Sequence, residues 1–132
     1  MSNRLYTQFS YSLERKLVTL FGSIAIGATG APTLNTKLSR GITSVVRNSA
    51  GNYTISLGSR YVALLFMDSI INLNSGAPSA GTNLNMVIRT DNSATATPTI
   101  TIEFVNSSGS AVELANGCTL LISPQLRDSD AL

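Results

Sequence analysis

Residues 47–57 read Arg47-Asn48-Ser49-Ala50-Gly51-Asn52-Tyr53-Thr54-Ile55-Ser56-Leu57, a turn followed by strict alternation. Tyr53, Ile55 and Leu57 fall on one side of an extended chain, and Asn52, Thr54 and Ser56 on the other. Successive side chains of a strand point to opposite faces, so this period of two marks a half-buried strand. The left half supplies the turn. Asn48 is placed to bond back to the backbone two residues on, and Gly51 to adopt the left-handed conformation of a bulge-type hairpin. The stretch predicts a hairpin with one face on a core.

The same turn formula returns at Asn106-Ser107-Ser108-Gly109. Before it, Ile100, Ile102 and Phe104 alternate with Thr99, Thr101 and Glu103, which predicts a second hairpin. A strand over Lys16–Ile26 places Val18, Leu20, Ile24 and Ile26 on one side, and Gly41–Arg47 is short and β-branched. Tyr61–Met67, ended by Asp68, and Cys118–Ile122 have no polar side. Strands of that kind are expected to be buried on both faces, covered by a second sheet, a helix or a neighbouring subunit. Asn83–Arg89 and Ala111–Leu114 are weaker strand candidates, and the Gly-, Ser- and Pro-rich stretches 27–39, 72–82 and 92–98 read as loops.

Helical pattern is confined to the N-terminus, where Leu5, Phe9, Leu13 and Leu17 recur at spacing four. Thr7, Ser10, Tyr11 and Ser12 in the same segment favour extended chain. The segment reads as an arm leading into the first strand, with room for one helical turn. Its aromatics Tyr6, Phe9 and Tyr11 need an apolar surface, either the chain's own core or a neighbouring subunit. With 132 residues, one domain is expected, and it needs no disulfide to fold. The expected fold is all-β: an antiparallel, jelly-roll-like sandwich of about seven or eight short strands. The N-terminal arm takes residues 1–15, the sandwich 16–126 and a C-terminal tail 127–132.

The residues for chemistry are sparse. There is no histidine, the commonest general base and metal ligand, and a single cysteine, Cys118, in an apolar run that predicts burial. Seven carboxylates are scattered along the chain. Asp128-Ser129-Asp130 lacks the later ligands of a calcium loop, and Gly27-Ala28-Thr29-Gly30 lacks the lysine and helix of a phosphate loop. The serines have no base to activate them. No enzyme activity, cofactor or metal is expected. No apolar run approaches the ~20 residues of a membrane span, and the polar N-terminus carries no export signal, so cytoplasmic synthesis is expected.

Charge supplies a hint about partners. Only 12% of residues are charged, about half the usual ~25%. Residues 1–60 hold seven basic side chains and one acidic, a net +6, whereas residues 61–132 hold two basic and six acidic, a net −4. Opposed halves suit side-by-side association of identical subunits. The basic residues are scattered and not interleaved with exposed aromatics, so nucleic-acid binding is not expected.

Two runs carry a family resemblance: Ile24-Ala25-Ile26-Gly27-Ala28-Thr29-Gly30-Ala31-Pro32-Thr33-Leu34, and Gly41-Ile42-Thr43-Ser44-Val45-Val46 continuing through Arg47–Ile55. Together they resemble a group of small structural proteins of tailed bacteriophages, in which a strand and a Gly-Ala-Thr/Ser-Gly-Ala loop lead into such a hairpin. The resemblance covers roughly residues 13–66. Some of the group resemble capsid decoration (cement) proteins, which sit on the head lattice, often as trimers. The resemblance implies a homotrimer on the capsid exterior, with the major capsid protein as partner. The contacts would come from Arg4, Leu5, Tyr6, Phe9, Tyr11 and Arg15 of the arm and from the loops 27–39 and 72–82. The competing expectation is a tail or head-fibre module that recognises a host surface glycan.

Overall fold

In the computed structural model, residues 17–78 and 84–128 are described. Among these residues, nine strands form two antiparallel sheets. In the first sheet, β1 (Leu17–Thr19) and β2 (Gly22–Ile26) follow one another along one side of β9 (Thr119–Arg127). Strand β6 (Ala63–Asn72) lies along the other side of β9, and β3 (Pro32–Leu34) flanks β2. The second sheet runs β4 (Ile42–Ser49), β5 (Asn52–Leu57), β8 (Thr99–Val105), β7 (Asn85–Asn92).

The inner faces of the two sheets meet in one core. Leu20, Ile24, Ile26, Leu120, Ile122 and Leu126 of the first sheet lie against Tyr53, Ile55, Leu57, Ile100, Ile102 and Phe104 of the second, all buried. For Leu20, Ile24, Ile26, Tyr53, Ile55, Leu57, Ile100, Ile102 and Phe104 these are the alternating apolar positions read from the sequence, whereas the alternation of β9 through Leu126 was not read from it. Tyr53 and Phe104 meet edge to face, with ring centroids 6.3 Å apart, a favoured aromatic arrangement. Cys118 is buried in the same core, which pushes its thiol pKa up.

The strand expected over Lys16–Ile26 is interrupted at Leu20 and Phe21. The cause lies in β9, which contains Pro124 although it is a central strand. Proline has no N–H to give to a ladder. Leu20 N–H donates to the Pro124 carbonyl, so that residue's polar groups face β1 and β2. The ladder breaks there, opposite the missing donor. Phe21 turns instead to Arg40, with which it exchanges two backbone hydrogen bonds of 3.1 and 2.8 Å.

The hairpin at 47–57 forms with its strand at Asn52–Leu57 and Gly51 at φ 68°. The register shifts between Arg47 and Ser49, as a bulge requires. Asn48 does not make the expected backbone bond. Its amide donates to Asn52 Oδ1 at 2.9 Å and Thr54 Oγ1 at 2.7 Å, across the hairpin. Asn106 does make it, accepting from the N–H groups of Ser108 and Ser110 at 2.9 and 3.1 Å. Ala111–Leu114, a candidate strand in the sequence, contributes one isolated bridge, Ala111 to Val105. The stretch 27–39, expected as loop, holds β3 and a 3₁₀ turn at Ala28–Gly30. Pro32 sits at the start of a sheet-edge strand, a position where the missing N–H costs little.

The expected two-sided burial of Tyr61–Met67 and Cys118–Ile122 is not found. Strand β6 begins at Ala63 and runs past Asp68 to Asn72, because Asp68 faces outward. Leu65 and Phe66 are 53% and 55% exposed, and Leu121 is 38% exposed. Among the described residues no layer lies outside the first sheet, so its outer apolar side chains meet solvent.

Candidate functional site

Two features stand out, a polar knot at one end of the sandwich and an apolar outer face. The knot ties together the two runs that carry the family resemblance. The Tyr53 hydroxyl, at the end of a fully buried ring, donates to the Gly30 carbonyl at 2.8 Å. Arg47, just before the turn, pairs with Glu113 through two donors, one of them Nε to Oε1 at 3.0 Å. One carboxylate thus holds the arginine before the turn, and one tyrosine holds the loop at 27–30.

The Arg47 hydrogen bond keeps the Glu113 carboxyl below the usual carboxylate range, assisted by Gly51 and opposed by partial burial. A depressed carboxyl pKa contributes stability above its unfolded value of about 4.3. That stability is lost as pH falls through the lower folded value. Both side chains are about a third exposed, so screening by water keeps the contribution small. Glu113→Gln is expected to lower the urea midpoint at pH 7 modestly. It should also shrink the midpoint difference between pH 7 and pH 3, and an unchanged difference would refute the assignment.

The outer faces of the two sheets differ in chemistry. On the second sheet, Asn52, Thr54, Ser56, Thr99, Thr101 and Glu103 point outward, joined by Val46 on β4 (53% exposed) and Val87 on β7 (42%). Several of the polar ones are bonded: Thr54 and Thr101 hydroxyls lie 3.3 Å apart, and Glu103 pairs with Arg89. On the first sheet the outward residues include Phe66 and Ile70 of β6 and Leu121 of β9, with Ile70 directly opposite Leu121. Phe21 (52% exposed) and Leu38 (66%) complete the patch. The Asn35 side chain accepts from the N–H groups of Lys37 and Leu38, which shapes the turn that presents Leu38. Phe21, Leu38, Ile70 and Leu121 line an apolar groove of about 310 Å³ whose one charged lining residue is Asp68.

The sequence-predicted contacts Arg4, Leu5, Tyr6, Phe9, Tyr11 and Arg15 lie outside the described residues, as do residues 79–82 of the loop region 72–82. The loop 27–39 supplies Leu38 to the groove. Phe21, Phe66, Ile70 and Leu121 were not singled out as contacts from sequence. The signal for two of them, Phe66 and Leu121, was there in the two runs that lacked a polar side. Part of the charge asymmetry is consumed within the chain, since Arg47 of the basic half pairs with Glu113 of the acidic half. Among the described residues, no three His, Cys, Asp or Glu side chains gather as a metal site, and no helix is long and apolar enough to cross a membrane. Comparison with family models, curated proteins and solved structures gives no match.

Proposed function

We propose that this chain is a non-enzymatic structural protein of a tailed-bacteriophage virion. It decorates the assembled head from outside, as a small oligomer, and bridges major capsid subunits. The observation that carries the reading is the inequality of the two outer faces. The second sheet's outer face is mostly hydroxyl and amide, with Val46 and Val87 standing singly on its two outer strands, while the first sheet's outer side gathers Phe21, Leu38, Ile70 and Leu121 around one groove, with Phe66 exposed further along β6. Contiguous exposed apolar side chains of this kind mark protein interfaces. A protein that binds the assembled shell and not its dissociated subunits stabilises the shell by mass action and needs no catalysis.

The test is co-sedimentation of the purified protein with head shells that lack it, from the phage that encodes the chain. Saturable binding that raises the shell's disruption temperature is the expected result. Phe66→Lys is expected to weaken binding at least tenfold while leaving the fold intact, since Phe66 is 55% exposed. No binding to shells, with reproducible binding to host glycans instead, would replace this reading with that of a host-recognition module.

A further inference from the structure

We infer that the groove of Phe21, Leu38, Ile70 and Leu121 receives residues 1–16 of a second copy of this chain, so that the oligomer closes by exchange of N-terminal arms. The inference rests on reading this face as a protein interface, and it needs no shell. Three observations point to this occupant. The first is composition: residues 1–16 include Leu5, Tyr6, Phe9, Tyr11 and Leu13, more large apolar side chains than a solvated arm has use for. Leu5, Phe9 and Leu13 stand at spacing four, which suits insertion of successive apolar anchors into a groove.

The second is direction. Strand β1 is antiparallel to β9, pairing Leu17 with Arg127 and Thr19 with Gln125. The groove lies at Leu121 to Ser123, beyond the end of β1. The chain thus runs towards the groove as it leaves Leu17. An arm docked on its own groove would have to double back against this direction, whereas an arm reaching a second copy need not. Sixteen residues can extend up to about 53 Å, ample to cross to a neighbouring sandwich.

The third is charge. Segment 1–16 carries Arg4, Arg15 and Lys16 against Glu14. The groove presents the carboxylate of Asp68, which takes part in no ion pair among the described residues. An arm-to-groove contact joins different surfaces of two copies. Such contacts close into rings when the rotation allows, and three identical contacts of this kind would close a trimer.

The double variant Phe9→Cys/Ile70→Cys in the full-length chain tests this by mild oxidation. Cys118 is buried and does not compete. Covalent dimers and trimers on a non-reducing gel, absent from either single variant, are the expected result. A faster-running covalent monomer would mean that each arm folds back on its own groove, and would overturn the exchange. No bond at all would overturn any docking of the arm there. Ile70→Lys is a second arm of the test. Ile70 is 62% exposed, so the variant should fold with an unchanged circular dichroism spectrum and sediment as a monomer. An Ile70→Lys protein that stays oligomeric refutes the inference. An arm-exchanged oligomer that ignores head shells refutes the decoration reading and leaves this one standing.

Discussion

Tyr53→Ala is expected to cost about 4 kcal/mol of folding stability, as removal of a fully buried aromatic ring does elsewhere. Against a total of roughly 5–15 kcal/mol for a domain, that leaves a marginal protein. Tyr53 is 0% exposed, its ring packs edge-on against Phe104, and its hydroxyl donates to Gly30 across 23 positions of sequence. The truncation removes packing from both sheets and one anchor of the loop at 27–30. Tyr53→Phe separates the two effects. It keeps the ring and should cost about 1–2 kcal/mol, the penalty of leaving the Gly30 carbonyl without its donor. Urea unfolding read by circular dichroism gives both values. If the two variants prove equal, the ring is not the main contributor.

The same residue sets an alkaline limit. Burial, and then the nearby Glu113 charge, push the Tyr53 phenol up to about 12. Its unfolded value is about 10. A raised folded pKa on a group that charges by losing its proton contributes stability below about pH 10, which declines as pH rises towards the folded value. Tyr61 is shifted in the same direction, chiefly by burial. Tyr53→Phe should therefore flatten only part of the stability loss above pH 10.

Gly51→Ala is expected to cost about 3 kcal/mol, combining a left-handed backbone penalty with a steric clash. Gly51 has φ 68°, and an added Cβ would overlap the Val112 carbonyl oxygen and approach that of Phe104 to 3.0 Å. Neither carbonyl can give way easily. Phe104 donates to Gly51 at 2.9 Å, and Val112 donates to Phe104 at 3.0 Å, so all three backbones are bound to one another. The control is Gly109→Ala in the second copy of the turn formula. Its φ is 82°, but nothing lies within 4 Å of the added carbon. It should cost only the conformational penalty, about 1–2 kcal/mol. Equal losses at the two sites would show that packing around Gly51 is irrelevant.

This pair also shows how far a turn formula carries. Asn-Ser-Ala-Gly and Asn-Ser-Ser-Gly both build left-handed glycine turns. Yet the first joins two long strands, and the second ends after one isolated bridge. Asn106 makes the backbone bonds expected of a turn asparagine, whereas Asn48 reaches across its hairpin to Thr54. The difference lies in what each turn has beside it. Asn48 faces the hydroxyl and amide row of the second sheet's outer surface, which competes for its side chain.

What the chain's own order of residues determined was local. Alternation from Asn52 to Leu57 and from Thr99 to Phe104 marked which side chains go inward, because a strand's side chains change face at every step. The glycine turns, the burial of Cys118 and the all-β class follow from the same local rules. Only the tertiary structure decided the rest. It set Pro124 beside the break after β1, brought Glu113 to Arg47 across 66 positions, and left Phe66, Ile70 and Leu121 on an outer face. Each of these depends on which strands become neighbours and in what register. That choice is made by many weak, long-range contacts summed over the whole sandwich, and no short stretch of the chain contains them.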